Sequence, residues 1–165
     1  MNTADEGPFR DGIVTRPFFR YWLPLLAWTA MIFMASTGAF SAQHTGSVIQ
    51  TIIAAIIGHP LPPEKFDPLH FVIRKLAHLT EYAILGALAF RAVRAEERGW
   101  SARWATIAIV IAFLIAASDE FHQSFVPSRT PSPVDVAIDT VGAAIAQGII
   151  RWRVHRRRSP DSARD

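Results

Sequence analysis

Tyr21 to Phe40 reads YWLPLLAWTAMIFMASTGAF, 20 residues without a formal charge. A helix rises ~1.5 Å per residue and about 20 apolar residues cross ~30 Å of hydrocarbon, so the stretch is long enough to span a bilayer. Three more apolar runs follow. Phe71–Phe90 is interrupted by polar residues between Arg74 and Glu81, Trp104–Ser118 is continuous, and Val134–Ile150 carries Asp135 and Asp139 near its start. A soluble protein explains one or two short apolar runs as buried helices, but a chain of 165 residues seldom needs four. The expected fold is therefore all-α, an integral membrane four-helix bundle.

Between the first and second spans, Val48–Ile57 is apolar but too short to cross. It reads as an interfacial or re-entrant helix, ended by Gly58, Pro60, Pro62 and Pro63. The first span has a faint likeness to a signal peptide, since Ala39-Phe40-Ser41 resembles a small-residue cleavage site. Its apolar run is too long and too aromatic for that, and it is expected to be retained. Residues 1–16 form a polar N-terminal tail expected to lack order, 17–150 the four-span domain, and 151–165 a basic tail.

Lys and Arg number 17 against 14 Asp and Glu, and 13 of the 17 fall in three places. Arg10, Arg16 and Arg20 precede the first span, Arg91, Arg94, Arg98 and Arg103 separate the second from the third, and the rest follow the fourth. Basic residues accumulate in cytoplasmic loops, so both termini are expected in the cytoplasm and the chain in the inner (plasma) membrane. That distribution argues against a nucleic-acid module, and the basic tail reads as an anchor on anionic lipid. With no cysteine, disulfides, iron–sulfur clusters and thiol nucleophiles are excluded.

Local signals place the helix ends. The first helix should begin near Arg16 or Pro17, and Pro24 falls in its first turns. Asp67-Pro68 has the form of an N-cap and first helical residue, and Ser132-Pro133-Val134-Asp135 repeats it for the last span, with Asp135 placed for a capping box. Gly142 and Ala146 offer a small-residue face for close packing.

The charges inside the apolar runs carry the functional signal, because a charge at the bilayer centre costs ~2.5–3.5 kcal/mol. Counting turns back from Arg91 puts Glu81 ~15 Å, His78 ~20 Å and Lys75 ~24 Å above the cytoplasmic edge. Counting from Arg103 puts Asp119 at ~24 Å, and from Arg151 Asp139 at ~18 Å and Asp135 at ~24 Å. Three independent counts thus reach one layer, with Arg129 held above it between Pro127 and Pro131. Lys75, His78 and Glu81 share a helix face by i,i+3 spacing, with Arg74 and Tyr82 each four residues from His78. Asp119, His122 and Gln123 share one if the third span continues that far, with Glu120 beside them. Bland readings stand next to these: Lys75, His78 and Glu81 as a self-neutralising group, Asp119, Glu120 and His122 as a helix end entering water, and Asp135 as a helix cap.

The string Arg74-Lys75-Leu76-Ala77-His78-Leu79-Thr80-Glu81-Tyr82 resembles a lysine–histidine–glutamate–tyrosine signature of the VanZ-like membrane proteins. So does Asp119-Glu120-Phe121-His122-Gln123-Ser124-Phe125-Val126-Pro127-Ser128-Arg129, followed by Asp135, Asp139 and Gly142. The serine-bearing end of the first span, Ser36 to Ser47, is similar to the same family, so that the likeness covers roughly residues 20–150. It implies a small multi-span protein of the bacterial cell envelope, in a family named for a member linked to resistance to the glycopeptide teicoplanin. It implies no settled reaction.

The expected ligand-binding residues are Lys75, His78, Glu81, Asp119, Glu120, His122, Gln123, Arg129, Asp135 and Asp139. As an enzyme on a lipid-linked or cell-wall substrate, the chain would use Glu81, Asp119 or Asp139 as acid or base and His78 or His122 as proton shuttle, with Lys75 and Arg129 holding an anion. As a binder it would capture membrane lipid, a lipid-linked molecule or a glycopeptide-like ligand. A proton-coupled transporter is the third class, and four spans without repeats would need to form an oligomer for it. No HExxH spacing is present and Lys75 and Arg129 stand near, so neither a metal nor another cofactor is expected.

Overall fold

The computed structural model describes residues 11–37, 42–127, 129 and 131–158. They form five helices, α1 (Asp11–Ala35), α2 (Ala42–Ile57), α3 (Pro63–Arg94), α4 (Ala102–Gln123) and α5 (Pro133–Arg158), and contain no strand. Four of them, α1, α3, α4 and α5, are long and apolar enough to cross a membrane. The apolar part of α2, Thr45–Ile57, is not, in keeping with the short helix expected between the first two spans.

Beside a buried apolar core, exposure departs from the pattern of a water-soluble protein. Large apolar side chains such as Met34, Ile56, Leu76 and Phe121 are exposed, whereas Asp119 and Asp139 are only 3 % and 1 % exposed. Where hydrocarbon is the solvent, apolar groups lose nothing by facing outward and polar groups must find partners inside.

Helices α3, α4 and α5 form the centre, with α1 against α3 and α2 more loosely placed beside α3. Small residues set the spacing. Along α4, Ala105, Ala108, Ala112 and Ala116 recur every three or four positions and are buried, while Ile107, Val110, Phe113 and Leu114 face outward. On α5, Gly142 lies so close to α3 that an added Cβ would stand 2.3 Å from the Leu79 carbonyl oxygen. Gly86 on α3 meets Ala143 in the same way, with a Cβ there 2.8 Å from the Ala143 Cα. The expected small-residue face is thus an α3–α5 seam, with Ala146 buried along it. Gln147 crosses the seam, its Nε2 donating to the Gly86 carbonyl at 2.9 Å. Trp28 ties α1 on by donating from Nε1 to the Glu81 carbonyl at 3.1 Å.

Two helix starts differ from the sequence reading. α1 begins at Asp11, ahead of Arg16, so the expected tail is helical in its last residues, and its first ten lie outside the described residues. α3 begins at Pro63, a turn before Asp67-Pro68, and Pro68 lies inside it. Pro62 and Pro63 offer the same fixed φ that favours a first helical position, with Glu64 in the positive first turn, so the earlier start wins. The start of α5 is the expected one: the Ser132 Oγ accepts from the Val134 N–H at 3.2 Å.

Candidate functional site

Heights read from helical rise become contacts in three dimensions. Lys75 on α3 forms an ion pair with Asp135 on α5. One turn further along both helices, His78 Nδ1 stands 3.3 Å from Asp139 Oδ1, at ion-pair distance but off hydrogen-bond alignment. Asp119 and Gln123, one turn apart on α4, are joined by a 2.9 Å bond from Gln123 Nε2 to Asp119 Oδ2, and the same nitrogen reaches Ser36 Oγ on α1 at 3.4 Å. The third span does continue through Gln123, which gives these residues their common face.

Asp135 is not a capping-box residue. Its carboxylate pairs with Lys75, and the Ser132 N–H that a capping box would satisfy donates instead to Glu120 Oε2 at 2.7 Å. Glu120 therefore fastens the start of α5 to the end of α4. Arg129, on the loop between them, donates from Nη2 to the Ala35 carbonyl at 2.6 Å and to the Thr37 carbonyl at 3.3 Å. Carbonyls at a helix end lack intrahelical partners, and a guanidinium satisfies them.

These elements enclose a cavity of about 260 Å³ between α1, α2, α3 and the end of α4. Arg74, His78, Glu81, Gln123, Arg129 and Ser36 supply its polar wall, and Ile32, Ile49 and Ile73 are among its apolar residues. Within that wall the Glu81 carboxylate has no side-chain hydrogen bond or ion pair among the described residues, and neither has the Arg74 guanidinium. Burial, and then the nearby Arg74 charge, push the Arg129 guanidinium below its usual range, against the pull of Asp119, Glu120 and Glu81. Two cations facing one cavity repel each other, and an anion between them relieves that repulsion.

A second, more open groove of about 470 Å³ runs along the outside of the bundle between α1 and α3. Trp28, Met31, Leu76 and Ile84 line it, and it shares Ile73, Ala77 and Glu81 with the polar cavity. Glu81 thus stands where the polar chamber meets a surface facing lipid.

Of the ten residues singled out by sequence, His78, Glu81, Gln123 and Arg129 line the cavity. Asp119 and Asp139 stand directly behind Gln123 and His78, and Lys75 with Asp135 forms the neighbouring layer. Two are placed elsewhere. Glu120 holds the α5 start, and the His122 ring packs edge-on against Phe33 of α1, centroids 6.0 Å apart. Sequence reasoning counted Arg74 in the cluster but left it out of the ligand-binding set in favour of Lys75. Its i,i+4 relation to His78 was the signal that places it on the cavity face. Among the described residues no group of three or more His, Cys, Asp or Glu is arranged to hold a metal ion.

Four helices long and apolar enough to span a bilayer define a multi-pass helical membrane protein. The chain belongs to the VanZ/LLP1 family, which it matches over residues 21–154. Neither the curated proteins nor the solved structures include a significant match.

Proposed function

We propose that this VanZ-family protein acts on a lipid-linked ligand of the cell envelope, holding an anionic group between Arg74 and Arg129 and exchanging a proton with it through Glu81. The observation that carries the reading is the position of Glu81: an unengaged carboxylate at the junction of a polar cavity and a groove open to lipid. A carboxylate left without a partner within a membrane-spanning helix is costly, and such residues mark ligand or proton pathways. The His78–Asp139 pair one turn away, an imidazole nitrogen 3.3 Å from a carboxylate oxygen, is suited to take the proton on. The distribution of basic residues supports an inner-membrane protein with both termini in the cytoplasm and this chamber toward the outside. A change in a lipid-linked wall component would then give the tie to teicoplanin tolerance that the family name suggests.

A non-catalytic capture site is the second reading. It is favoured by the mutual pairing of Lys75 with Asp135 and His78 with Asp139, which leaves few free groups for chemistry. Purified protein incubated with envelope lipid extract and followed by mass spectrometry separates the two. Turnover predicts a new lipid product, lost in Glu81→Gln while the substrate is still retained. Capture predicts enrichment of an unchanged lipid, weakened most by Arg74→Gln. Neither product nor enrichment, from protein shown to be folded, rejects both. In cells, teicoplanin tolerance should fall in Glu81→Gln at unchanged protein level.

A further inference from the structure

The opposite end of the bundle carries a second chamber that the reading above does not use. It has a volume of about 870 Å³, within the range of small-molecule sites, and is formed by α1 at Arg20 and Tyr21, the end of α3 with the α3–α4 turn, and the end of α5. Arg20, Arg91, Arg94, Arg98 and Arg157 face it, with Glu96 and Glu97 as its carboxylates. Among the described residues none of these arginines has an ion pair within 4.0 Å.

Rings and carbonyls hold several of the guanidiniums instead. Arg20 and Arg91 both lie over the Tyr21 ring, 5.6 and 5.8 Å from its centroid, and Arg91 Nη2 donates to the Arg20 carbonyl at 3.3 Å. Arg94 lies 5.8 Å from the Phe90 centroid and donates from Nη1 to the Gly99 carbonyl at 3.4 Å, while its buried Nε has no partner. Each guanidinium has five N–H donors, so most remain available to a ligand. Between these arginines the chain reverses sharply, with φ of 51° at Ala95 and 95° at Gly99. Ala95 is the one non-glycine residue with positive φ among those described, and strained backbone of this kind persists where surrounding structure fixes it, often at ligand clamps.

We infer that this chamber is a binding site for a paired-phosphate group, the headgroup of a two-phosphate anionic lipid or a soluble diphosphate. Guanidiniums match phosphate oxygens bidentately, and an excess of three positive charges among the lining residues exceeds what one phosphodiester neutralises. Basic pockets between membrane helices bind such headgroups, whereas a basic tail lying on the surface responds only to net charge. The chamber begins about 15 Å along α3 from Glu81, so it does not depend on the proposed chemistry there.

The test uses full-length protein in nanodiscs whose surface charge is matched, either with diphosphatidylglycerol or with twice as much phosphatidylglycerol. Inorganic pyrophosphate is titrated separately against detergent-solubilised protein. The double variant Arg98→Gln/Arg157→Gln removes two cavity arginines, and Arg153→Gln/Arg156→Gln removes equal charge from the same helix end outside the cavity. Retention of diphosphatidylglycerol should drop at least about tenfold in the first pair and no more than about twofold in the second. A specific loss in the lipid arm assigns the site to a headgroup, and a specific loss in the pyrophosphate arm assigns it to a soluble diphosphate. Equal losses in both pairs, or no preference for either two-phosphate probe over phosphatidylglycerol, overturn the inference.

Discussion

Lys75 and Glu81 lie six residues apart on α3, and their surroundings give them different work. Lys75 has an ionised partner in Asp135, with side chains 24 % and 9 % exposed, so its charge is balanced locally. Removing one member of such a pair strands the other, which costs ~3–5 kcal/mol when both are fully buried. With a quarter of the Lys75 side chain outside the packed interior, Lys75→Met should destabilise the protein by roughly 2–3 kcal/mol. Adding Asp135→Leu should restore most of that, because two apolar residues replace two matched charges. Thermal unfolding of purified protein in detergent checks both steps; a double variant no more stable than the single one would mean that Asp135 has another essential partner. Glu81→Gln, by contrast, removes a charge without breaking a bond, so its unfolding temperature should stay at or above that of the native protein. A loss of function without a loss of stability is what separates a working carboxylate from a structural one.

At the scale of elements, the α3–α5 seam decides whether the two pairs meet at all. Lys75–Asp135 and His78–Asp139 advance in step along the two helices, and a small change in spacing would part them. Gly142 stands one turn from Asp139, and a methyl group there would lie 2.3 Å from a backbone oxygen of Leu79. A backbone oxygen cannot swing away as a side chain can, so the helices must separate. Gly142→Ala should therefore cost about 1–3 kcal/mol, typical of overpacking. Gly148→Ala has nothing within 4 Å of the added atom and, by replacing glycine within a helix, should be neutral or slightly stabilising. Comparing the two unfolding midpoints, with the fraction of monodisperse protein as a second readout, tests whether close approach rather than helix propensity governs the seam. Gly142→Ala should also depress function more than stability, since the pairs beside Glu81 would be pulled apart.

For the whole molecule, helical rise and charge placement made the layering of the charged residues legible before any coordinates, because height along a rigid helix is set by residue number alone. Rotation about each helix axis is less constrained by sequence. The pairing of Lys75 with Asp135 and the packing of His122 against Phe33 are fixed by that rotation, so neither could be read when both residues were counted among the expected ligand-binding ones. Glu120 was unreadable for another reason: its partner is a backbone N–H twelve residues away, fixed only by how the loop closes. The lateral groove was the least visible feature, since it depends on how α1 packs against α3, and it carries the strongest consequence. A lipid-linked ligand would place its head in the cavity and its chain along Trp28, Met31 and Ile84, passing Ala77. Ala77 is exposed, so a large side chain there is tolerated by the fold and obstructs the passage. Ala77→Trp should lower retention or turnover of the lipid ligand at least about tenfold while leaving unfolding unchanged, whereas Ala137→Trp, exposed on α5 and lining neither space, should leave both intact. If the ligand instead enters from water above the loop, Ala77→Trp would be nearly silent. A bulky change beside Arg129 would then be the damaging one, and the groove would be a simple contact surface for bulk lipid.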